Sequence, residues 1–352
     1  MKIHIGVLFL LNCLAVSLYA QDKSEAFKYL NNAVSAREAA LGGKIVAADF
    51  VDGQLTGYHP HLNSEKNHGT IYFHYLNFLS DLGATEFNYT HKNPKLPVVL
   101  TGGFRSFSYG QFNQTNEFGE QTGTFTPRDV QIYISAGYNR EGPWQYGASL
   151  KFLNSTYEQY TANAIAVDLG AAYIDTIKQF SAGVQLSNAG IMLSNYIDSK
   201  QKLPLNVAMG ISKKLEKAPF RFLFTLDNMQ QWDQPLPKDS KVERDPLTGE
   251  LILPKEKSTA GKFFRNFTRH LYAGTEIVFS DNFQIRLGYN YMRRQELSIS
   301  EKPGTVGLSY GLSFRINRFH FSYANAKYHL SGASNFFSVT TNIYDFWTKK
   351  QL

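Results

Sequence analysis

The stretch 304–323, GTVGLSYGLSFRINRFHFSY, constrains the fold more than any other part of the chain, because its large apolar residues alternate with small polar ones. Alternation with a period of two predicts a β-strand, and the polar break at 315–318 predicts a tight turn between two antiparallel strands. One face of this hairpin is large and apolar, and the other is small and polar. A soluble sandwich would bury the apolar face, whereas a membrane barrel turns it toward lipid. One hairpin leaves both folds open.

Fourteen segments with this pattern follow one another from residue 69. They are 69–77, 83–92, 97–109, 129–139, 143–154, 163–173, 179–188, 204–214, 219–228, 269–279, 282–293, 304–315, 317–328 and 334–345. Each is close to the ~9–11 residues that a tilted strand needs to cross a membrane.

The connections between these segments favour the membrane barrel. Every long connection (110–128, 189–203 and 229–268) follows an odd-numbered strand, and the connections after even-numbered strands are short. Outer-membrane barrels have short periplasmic turns and long external loops. The sequence therefore predicts an all-β fold, a 14-stranded antiparallel outer-membrane β-barrel over residues 69–347, with the external loop 229–268 and both termini in the periplasm.

Composition agrees with this fold. Charged residues make up 18% of the chain and aromatic residues 14%, which fits a barrel and also an all-β secreted protein. Trp144 begins one predicted strand and Trp347 follows the last, where tryptophan is expected at a membrane interface. The formal charge is +7, but the basic residues are scattered and not clustered with exposed aromatic residues. We therefore expect outer-membrane lipid, and no nucleic acid, as a partner.

Residues 1–20 predict a secretory signal peptide, with a basic start at Lys2, an apolar run and a cleavage site after Ala20. The single cysteine, Cys13, lies inside this segment. Cleavage would leave a chain without cysteine, which excludes disulfides, thiolate catalysis and cysteine-bound metals.

Residues 21–68 do not alternate, and they predict a small N-terminal periplasmic or plug-like segment. Helical spacing from Ser24 to Leu41 stops at two glycines, as helices commonly do. His59 and His61 lie close in sequence, but no cysteine or suitably spaced carboxylate accompanies them. We expect loop histidines there and no metal site.

No nucleophile elbow, P-loop, HExxH or glycine-rich nucleotide motif occurs in the chain. The sequence therefore predicts a protein that is not an enzyme and that has no cofactor. Successive residues of a strand point to opposite faces, and this alternation places several charged residues on the inward face. There they would form a polar network in the lumen: Asp168, Arg221, Asp227, Glu276, Arg286 and Arg315.

The connection 229–268 is the longest in the chain, and loops of this length are usually functional or disordered. Its aromatic residues are candidate partner contacts, because such residues tend to dominate binding energy: Trp232, Phe263, Phe264 and Phe267. A folded cap on the barrel and a partner-binding loop both remain open.

Three stretches carry a resemblance to a known family. SAREAALGG at 35–43 resembles the N-terminal signature of the PorQ family of the type IX secretion system. LPLNVAMGISKKLEKAPFR at 203–221 is similar to that family's central strand–turn–strand, and GTFT at 123–126 followed by Asp129 is similar to an external loop. The family belongs to the FadL-like barrels, which include PorV. The sequence HPHL at 59–62 departs from the family's usual Asn-Pro, small residue, leucine.

The resemblance implies an outer-membrane barrel of Bacteroidetes-type bacteria with a non-enzymatic role in protein secretion. It implies that the barrel holds a PorZ-like cell-surface partner in the attachment complex, which processes secreted cargo and links it to the surface. The wider FadL-like group implies an alternative, the transport or binding of a hydrophobic ligand. The small, polar or charged inward faces of the predicted strands weigh against the continuous apolar lumen that transport would need.

Overall fold

The structure is a computed structural model that describes residues 25–48, 53–139, 142–197, 200–234, 236, 243–244, 251–252, 258–297, 305–329 and 332–347. The predicted signal peptide and most of the central part of the long loop lie outside the described residues. Within the described ranges, no helix is long and apolar enough to cross a membrane.

The chain forms a closed antiparallel barrel of fourteen strands, which confirms the predicted fold class. Its strands are β1 (Thr70–Leu79), β2 (Leu82–Lys92), β3 (Val98–Ser108), β6 (Arg128–Asn139), β7 (Trp144–Tyr157), β8 (Tyr160–Asp175), β9 (Phe180–Ser194), β10 (Asn206–Lys214), β11 (Phe220–Leu226), β14 (Leu271–Ser280), β15 (Phe283–Asn290), β16 (Leu308–Ile316), β17 (Phe319–His329) and β18 (Gly332–Asn342). Each strand pairs with its neighbour along the chain, and β1 pairs with β18 to close the ring.

In the described part of the chain, four short strands lie outside the ring and form two hairpins. One hairpin joins β4 (Phe112–Thr115) to β5 (Gln121–Phe125), and the other joins β12 (Glu243–Arg244) to β13 (Leu251–Ile252). Among the described residues, the helices are α1 (Ala36–Ala40), α2 (Thr259–His270) and α3 (Tyr291–Leu297), with 3₁₀ turns at Lys28–Asn31, Pro60–Leu62, Glu65–Asn67 and Ile343–Phe346.

Strand boundaries differ from the predicted ones in a few places. β9 continues to Ser194, so part of the predicted loop 189–203 is strand. β16 begins only at Leu308, and the preceding Val306 is buried in a loop. Regular alternation therefore continues in the sequence beyond the point where strand pairing stops.

The two ends of the barrel differ in their connections. The connections 93–97, 140–143, 176–179, 215–219, 281–282 and 317–318 share one end, which we name the short-turn end. The connections 109–127, 195–205, 227–270 and 291–307 share the opposite end, which we name the long-loop end. All the long connections therefore lie on one side of the barrel.

Strand β7 shows how the barrel wall is oriented. Its large apolar side chains point outward and are exposed, namely Trp144, Tyr146, Leu150 and Phe152. Its alternate residues point inward and are buried, namely Gln145, Ser149, Lys151 and Leu153. A closed barrel with an apolar outer surface and a mainly polar interior has the architecture of outer-membrane proteins.

The barrel core is formed by residues 25–48 and 53–68, which lie inside the lumen and which we name the plug. Most plug residues are buried. Its apolar side chains pack with inward residues of the wall, as Tyr29 does against Phe107. The lumen is thus filled by the chain's own N-terminal part, because a barrel of this circumference has more interior than its inward side chains occupy.

Candidate functional site

Helix α1 places the sequence motif 35–43 against the barrel wall. Ser35 caps the helix, and its Oγ accepts a hydrogen bond from the Glu38 backbone N–H at 3.0 Å. The alanines of the motif are small enough to bring the helix close to β16 and β17, and Ser309 Oγ donates to the Ala40 carbonyl at 3.0 Å. On β15, a Cβ at Gly288 would lie 2.3 Å from the Gly42 nitrogen. The close approach therefore requires glycine at position 288.

Arg37 points from α1 into a buried ionic cluster centred on Glu276. Arg37 donates to Glu276 through Nε (2.7 Å) and Nη2 (2.8 Å). Arg221 Nη1 donates to the same carboxylate at 2.7 Å, and Arg286 Nε donates at 2.8 Å. We name these four residues the Glu276 cluster.

Strand register produces the wall part of this cluster. Arg221 on β11 and Arg286 on β15 lie directly opposite Glu276 on β14, one on each side. Directly opposite residues of opposite charge stabilise a sheet, and Arg37 approaches them from the plug. Breaking a buried pair by removing one partner typically costs about 3–5 kcal/mol. The cluster therefore fixes the plug to three adjacent strands.

A second set of contacts holds the turn 59–62 against β7 and β9. His59 Nε2 lies 3.3 Å from Glu38 Oε1, and His59 Nδ1 lies 2.6 Å from Gln185 Oε1 on β9. His61 Nε2 lies 2.9 Å from the Val46 carbonyl. On β7, a Cβ at Gly147 would lie 2.1 Å from the Pro60 carbonyl carbon, so the plug backbone touches the wall here too.

The environment of these side chains sets their ionisation. Burial raises the pKa of Glu38, but hydrogen bonds from His59 and the Val34 N–H, together with the nearby charges of His59 and Lys44, hold the pKa below its usual value. Burial lowers the pKa of His61 to about 3, so its imidazole is neutral near pH 7. Across the described residues there is no group of three or more His, Cys, Asp and Glu that could hold a metal ion. His59 joins the plug to the wall through Gln185, whereas His61 bonds within the plug and packs against Gly170 on β8.

The structure divides the six residues predicted for the lumen network. Glu276, Arg221 and Arg286 lie together in the Glu276 cluster. Asp168 lies elsewhere in the lumen, with one carboxylate oxygen 2.5 Å from Lys151 Nζ and the other accepting the Asn188 backbone N–H at 2.8 Å.

The remaining two residues lie near opposite ends of the barrel. Asp227 follows β11 at the long-loop end and accepts a hydrogen bond from Asn206 at 2.9 Å. Arg315 lies at the short-turn end, 3.6 Å from Asp345, and both side chains are partly exposed. The single network expected from strand parity is therefore several separate contacts.

Strand parity could not identify Arg37, because Arg37 is not in a strand. An arginine inside an alanine-rich helical turn is the sequence signal that would have identified it. Alternation along β7 puts Lys151 on the inward face, but its pairing with Asp168 depends on the register between β7 and β8.

The long connection 227–270 ends in helix α2, which Ser258 caps through a hydrogen bond from the Gly261 N–H at 3.2 Å. The Trp232 ring lies between Phe263 and His270, with centroid distances of 5.3 and 5.1 Å. Phe263 and Phe264 are 60% and 68% exposed. We name these two phenylalanines and Trp232 the aromatic patch.

Phe267, the fourth predicted contact residue, is half-buried. The helix also packs on α3, from the neighbouring long connection. The described part of the loop is therefore folded against the barrel end, and it presents two phenylalanine side chains to the exterior.

Comparisons with known proteins give similar solved structures. The TodX monoaromatic hydrocarbon channel, as its deltaS2S3 mutant, shares 11% identity, with 89% of this chain and 99% of that chain covered and a TM-score of 0.49. The CymD monoaromatic hydrocarbon channel shares 14% identity over 90% and 97%, with a TM-score of 0.49. A FadL homologue from Pseudomonas aeruginosa shares 9% over 88% and 98%, with a TM-score of 0.44.

No family model matches the chain, and no curated protein matches it. Identities and TM-scores this low assign neither a family nor a ligand.

Proposed function

We propose that this chain is a sealed outer-membrane barrel of the PorQ type, which holds a PorZ-like cell-surface protein in the attachment complex of the type IX secretion system. In this proposal the short-turn end and both termini face the periplasm, as in other outer-membrane barrels. The long-loop end faces outward and carries the partner. The resemblance of residues 35–43, 203–221 and 123–126 to the PorQ family supports the assignment.

The observation that carries the proposal is the plug and the way it is fixed. Arg37 binds the plug to Glu276 on β14, His59 binds it to Gln185 on β9, and the His61 ring packs against Gly170 on β8. Releasing the plug would break a buried charge cluster and expose apolar surface, and both changes are costly. A lumen closed in this way favours a role as a scaffold over a role as a transport channel.

The long-loop end supplies the surface that a scaffold needs. It presents the hairpin of β4 and β5, helices α2 and α3, and the aromatic patch. Binding loops carried by a rigid framework are a common arrangement in proteins. Exposed aromatic side chains next to polar surface favour a protein partner at this end.

A second candidate is the transport or binding of a hydrophobic ligand. One observation favours it: apolar side chains of plug and wall meet in the lumen, including Phe27, Tyr29, Phe107 and Leu203. The TodX and CymD structures are described as monoaromatic hydrocarbon channels. For this chain, transport would require the plug to move away from residues that it contacts closely.

A strain that lacks the gene separates the two functions. We expect surface proteins of the attachment complex to appear in the medium of that strain and to return to cells when the intact chain is restored. Uptake of a labelled monoaromatic hydrocarbon should be the same with and without the chain. If the strain that lacks the gene keeps its surface proteins but takes up less hydrocarbon, the anchoring function is wrong and transport is supported.

A further inference from the structure

A cavity of about 550 Å³ opens at the short-turn end, between the plug and the barrel wall. Its size is within the ~300–1,000 Å³ that is common for ligand pockets. The plug contributes Arg37 and Lys66, and the wall contributes the short-turn ends of strands between β8 and β18. We name it the basal cavity. It lies at the opposite end of the barrel from the aromatic patch.

The lining of the basal cavity is strongly basic. Among the described residues that line it, seven are lysine or arginine and three are aspartate, an excess of four positive charges. Counting Glu276, which is buried beneath the arginines, leaves an excess of three. Clefts lined by one sign of charge focus the field and raise the local concentration of ions of the opposite sign. The basal cavity therefore favours an anionic occupant.

The positive charges extend from the floor of the cavity to its mouth. Arg286 lies directly opposite Gly311 on β16, and Arg315 lies four residues farther along β16 toward the short-turn end. At a rise of ~3.3 Å per residue, the level of Arg286 and the level of Arg315 are about 13 Å apart along β16. Arg318, in the turn beyond β16, lines the cavity too, with its guanidinium carbon 5.0 Å from the centre of the Phe346 ring.

The distance between the Arg286 and Arg315 levels favours an extended anion over a small one. One phosphate or carboxylate group cannot contact cations on both levels, because its oxygens span only a few ångströms. An extended peptide advances by ~3.3 Å per residue, so about four residues with acidic side chains match the depth. Arginine also binds carboxylates through two parallel hydrogen bonds, which adds geometric specificity.

We propose that the basal cavity binds an extended acidic segment of another protein. With the orientation given under the proposed function, this protein would be periplasmic, and the barrel would bind one partner on each side of the membrane. The plug makes the cavity blind, so the segment would bind there and not pass through. The exposed pair of Arg315 and Asp345 lets an incoming carboxylate share Arg315 without breaking a buried contact.

The test uses the full chain purified in mild detergent and a fluorescein-labelled hexaglutamate peptide with an amidated C-terminus. Binding is measured by fluorescence anisotropy. We expect the double variant Arg315→Gln/Arg318→Gln to weaken binding by about tenfold or more, since each lost charge-assisted hydrogen bond is worth roughly 1.5 kcal/mol or more, which is about tenfold in Kd. Heat-modifiable migration on gels checks that the barrel is folded.

The matched control is Lys178→Gln/Lys217→Gln, which removes two positive charges from exposed short-turn residues outside the cavity lining. Its affinity should stay within about twofold of the unchanged chain. Equal weakening by both double variants would show non-specific attraction and would overturn the proposal, as would absence of binding at low salt.

Inorganic phosphate is the competing probe. If phosphate alone displaces the peptide as effectively, per molecule, as unlabelled hexaglutamate does, the cavity is a small-anion site and the peptide proposal is wrong. This test does not use the surface partner, so its result is independent of the anchoring function. The proposal of a peptide site and the proposal of partner binding at the aromatic patch can therefore be tested separately.

Discussion

Arg37 in the plug donates two hydrogen bonds to the carboxylate of Glu276 on β14, at 2.7 and 2.8 Å, and both side chains are almost completely buried. This bidentate pair joins the N-terminal part of the chain to the barrel wall. Bidentate arginine–carboxylate pairs combine strength with a fixed geometry. The pair therefore helps to hold the plug inside the lumen.

Removing the pair should release the plug. We expect Arg37→Gln to destabilise the seated plug by about 1.5–3 kcal/mol or more, because the plug loses its charge-assisted hydrogen bonds to Glu276, which stays paired with Arg221 and Arg286. Lys92→Gln is the control, since Lys92 pairs with Glu65 of the plug at 2.8 Å but the pair is partly exposed, and such pairs contribute at most about 1 kcal/mol. Limited proteolysis of the plug in the folded barrel measures the difference. Equal protease resistance of the two variants would contradict the role of Arg37.

Charge should be costly on the outer face of the wall and tolerated better on the inner face. Leu287 on β15 is 52% exposed and points outward, whereas Gln284 on the same strand lines the basal cavity. Leu287→Arg places a charge in lipid at roughly 2–4 kcal/mol near the bilayer midplane. Gln284→Arg stays in a polar, open cavity. Heat-modifiable migration on gels measures the folded fraction in membranes. This fraction should fall much more for Leu287→Arg than for Gln284→Arg. Equal fractions would mean that the inward and outward faces of the strand are assigned wrongly.

Acid should loosen the plug through His61. Burial lowers the pKa of His61 to about 3, whereas the ordinary value of a released histidine is about 6.5. Between these values the released plug binds a proton that the seated plug does not, so stability falls as pH falls. At pH 5 the loss from this one group is about 2 kcal/mol.

Proteolysis of the plug at pH 7.5 and pH 5 measures this effect. The His61→Gln variant removes the titrating group and should show a smaller increase in cleavage on acidification. An identical increase in the variant and the unchanged chain would assign the pH dependence to other groups.

The sequence predicted the wall of this barrel well and its interior less well. All fourteen strands follow from alternation, because lipid outside and polar groups inside impose opposite requirements on successive residues. Arg221, Glu276 and Arg286 were placed inward by the same parity. Their meeting with Arg37 was not predicted, since a contact between residues 37 and 276 depends on three-dimensional packing and not on local periodicity.

The burial of the turn 59–62 was also not predicted from local sequence pattern. In the sequence His59 and His61 resemble loop residues, yet both are almost completely buried between plug and wall. Proline and histidine indicate irregular backbone, and irregular backbone usually lies on the surface. Inside a barrel it is buried by the surrounding wall, which no local pattern indicates.

The aromatic patch should contribute directly to partner attachment. We expect Phe263→Ser/Phe264→Ser to leave the barrel folded, because both side chains are exposed, and to weaken partner binding by about 2 kcal/mol or more if they are binding hot spots. Phe118→Ser is the matched control, since Phe118 is 88% exposed on a different long connection. Co-purification of the partner in mild detergent measures the effect, and equal losses in both variants would contradict a specific role for the patch.

The most direct test of the anchoring function is the fraction of the surface partner that stays on cells when the long loop is shortened. Removing residues 235–258 leaves β11, α2 and β14 in the chain, so folded barrel should be present in normal amount. We predict that the partner then moves into the medium. If the partner stays on cells that carry the shortened loop, this loop does not hold it, and attachment must be sought at 109–127 or 195–205; if it also stays on cells that lack the whole protein, the anchoring function is wrong.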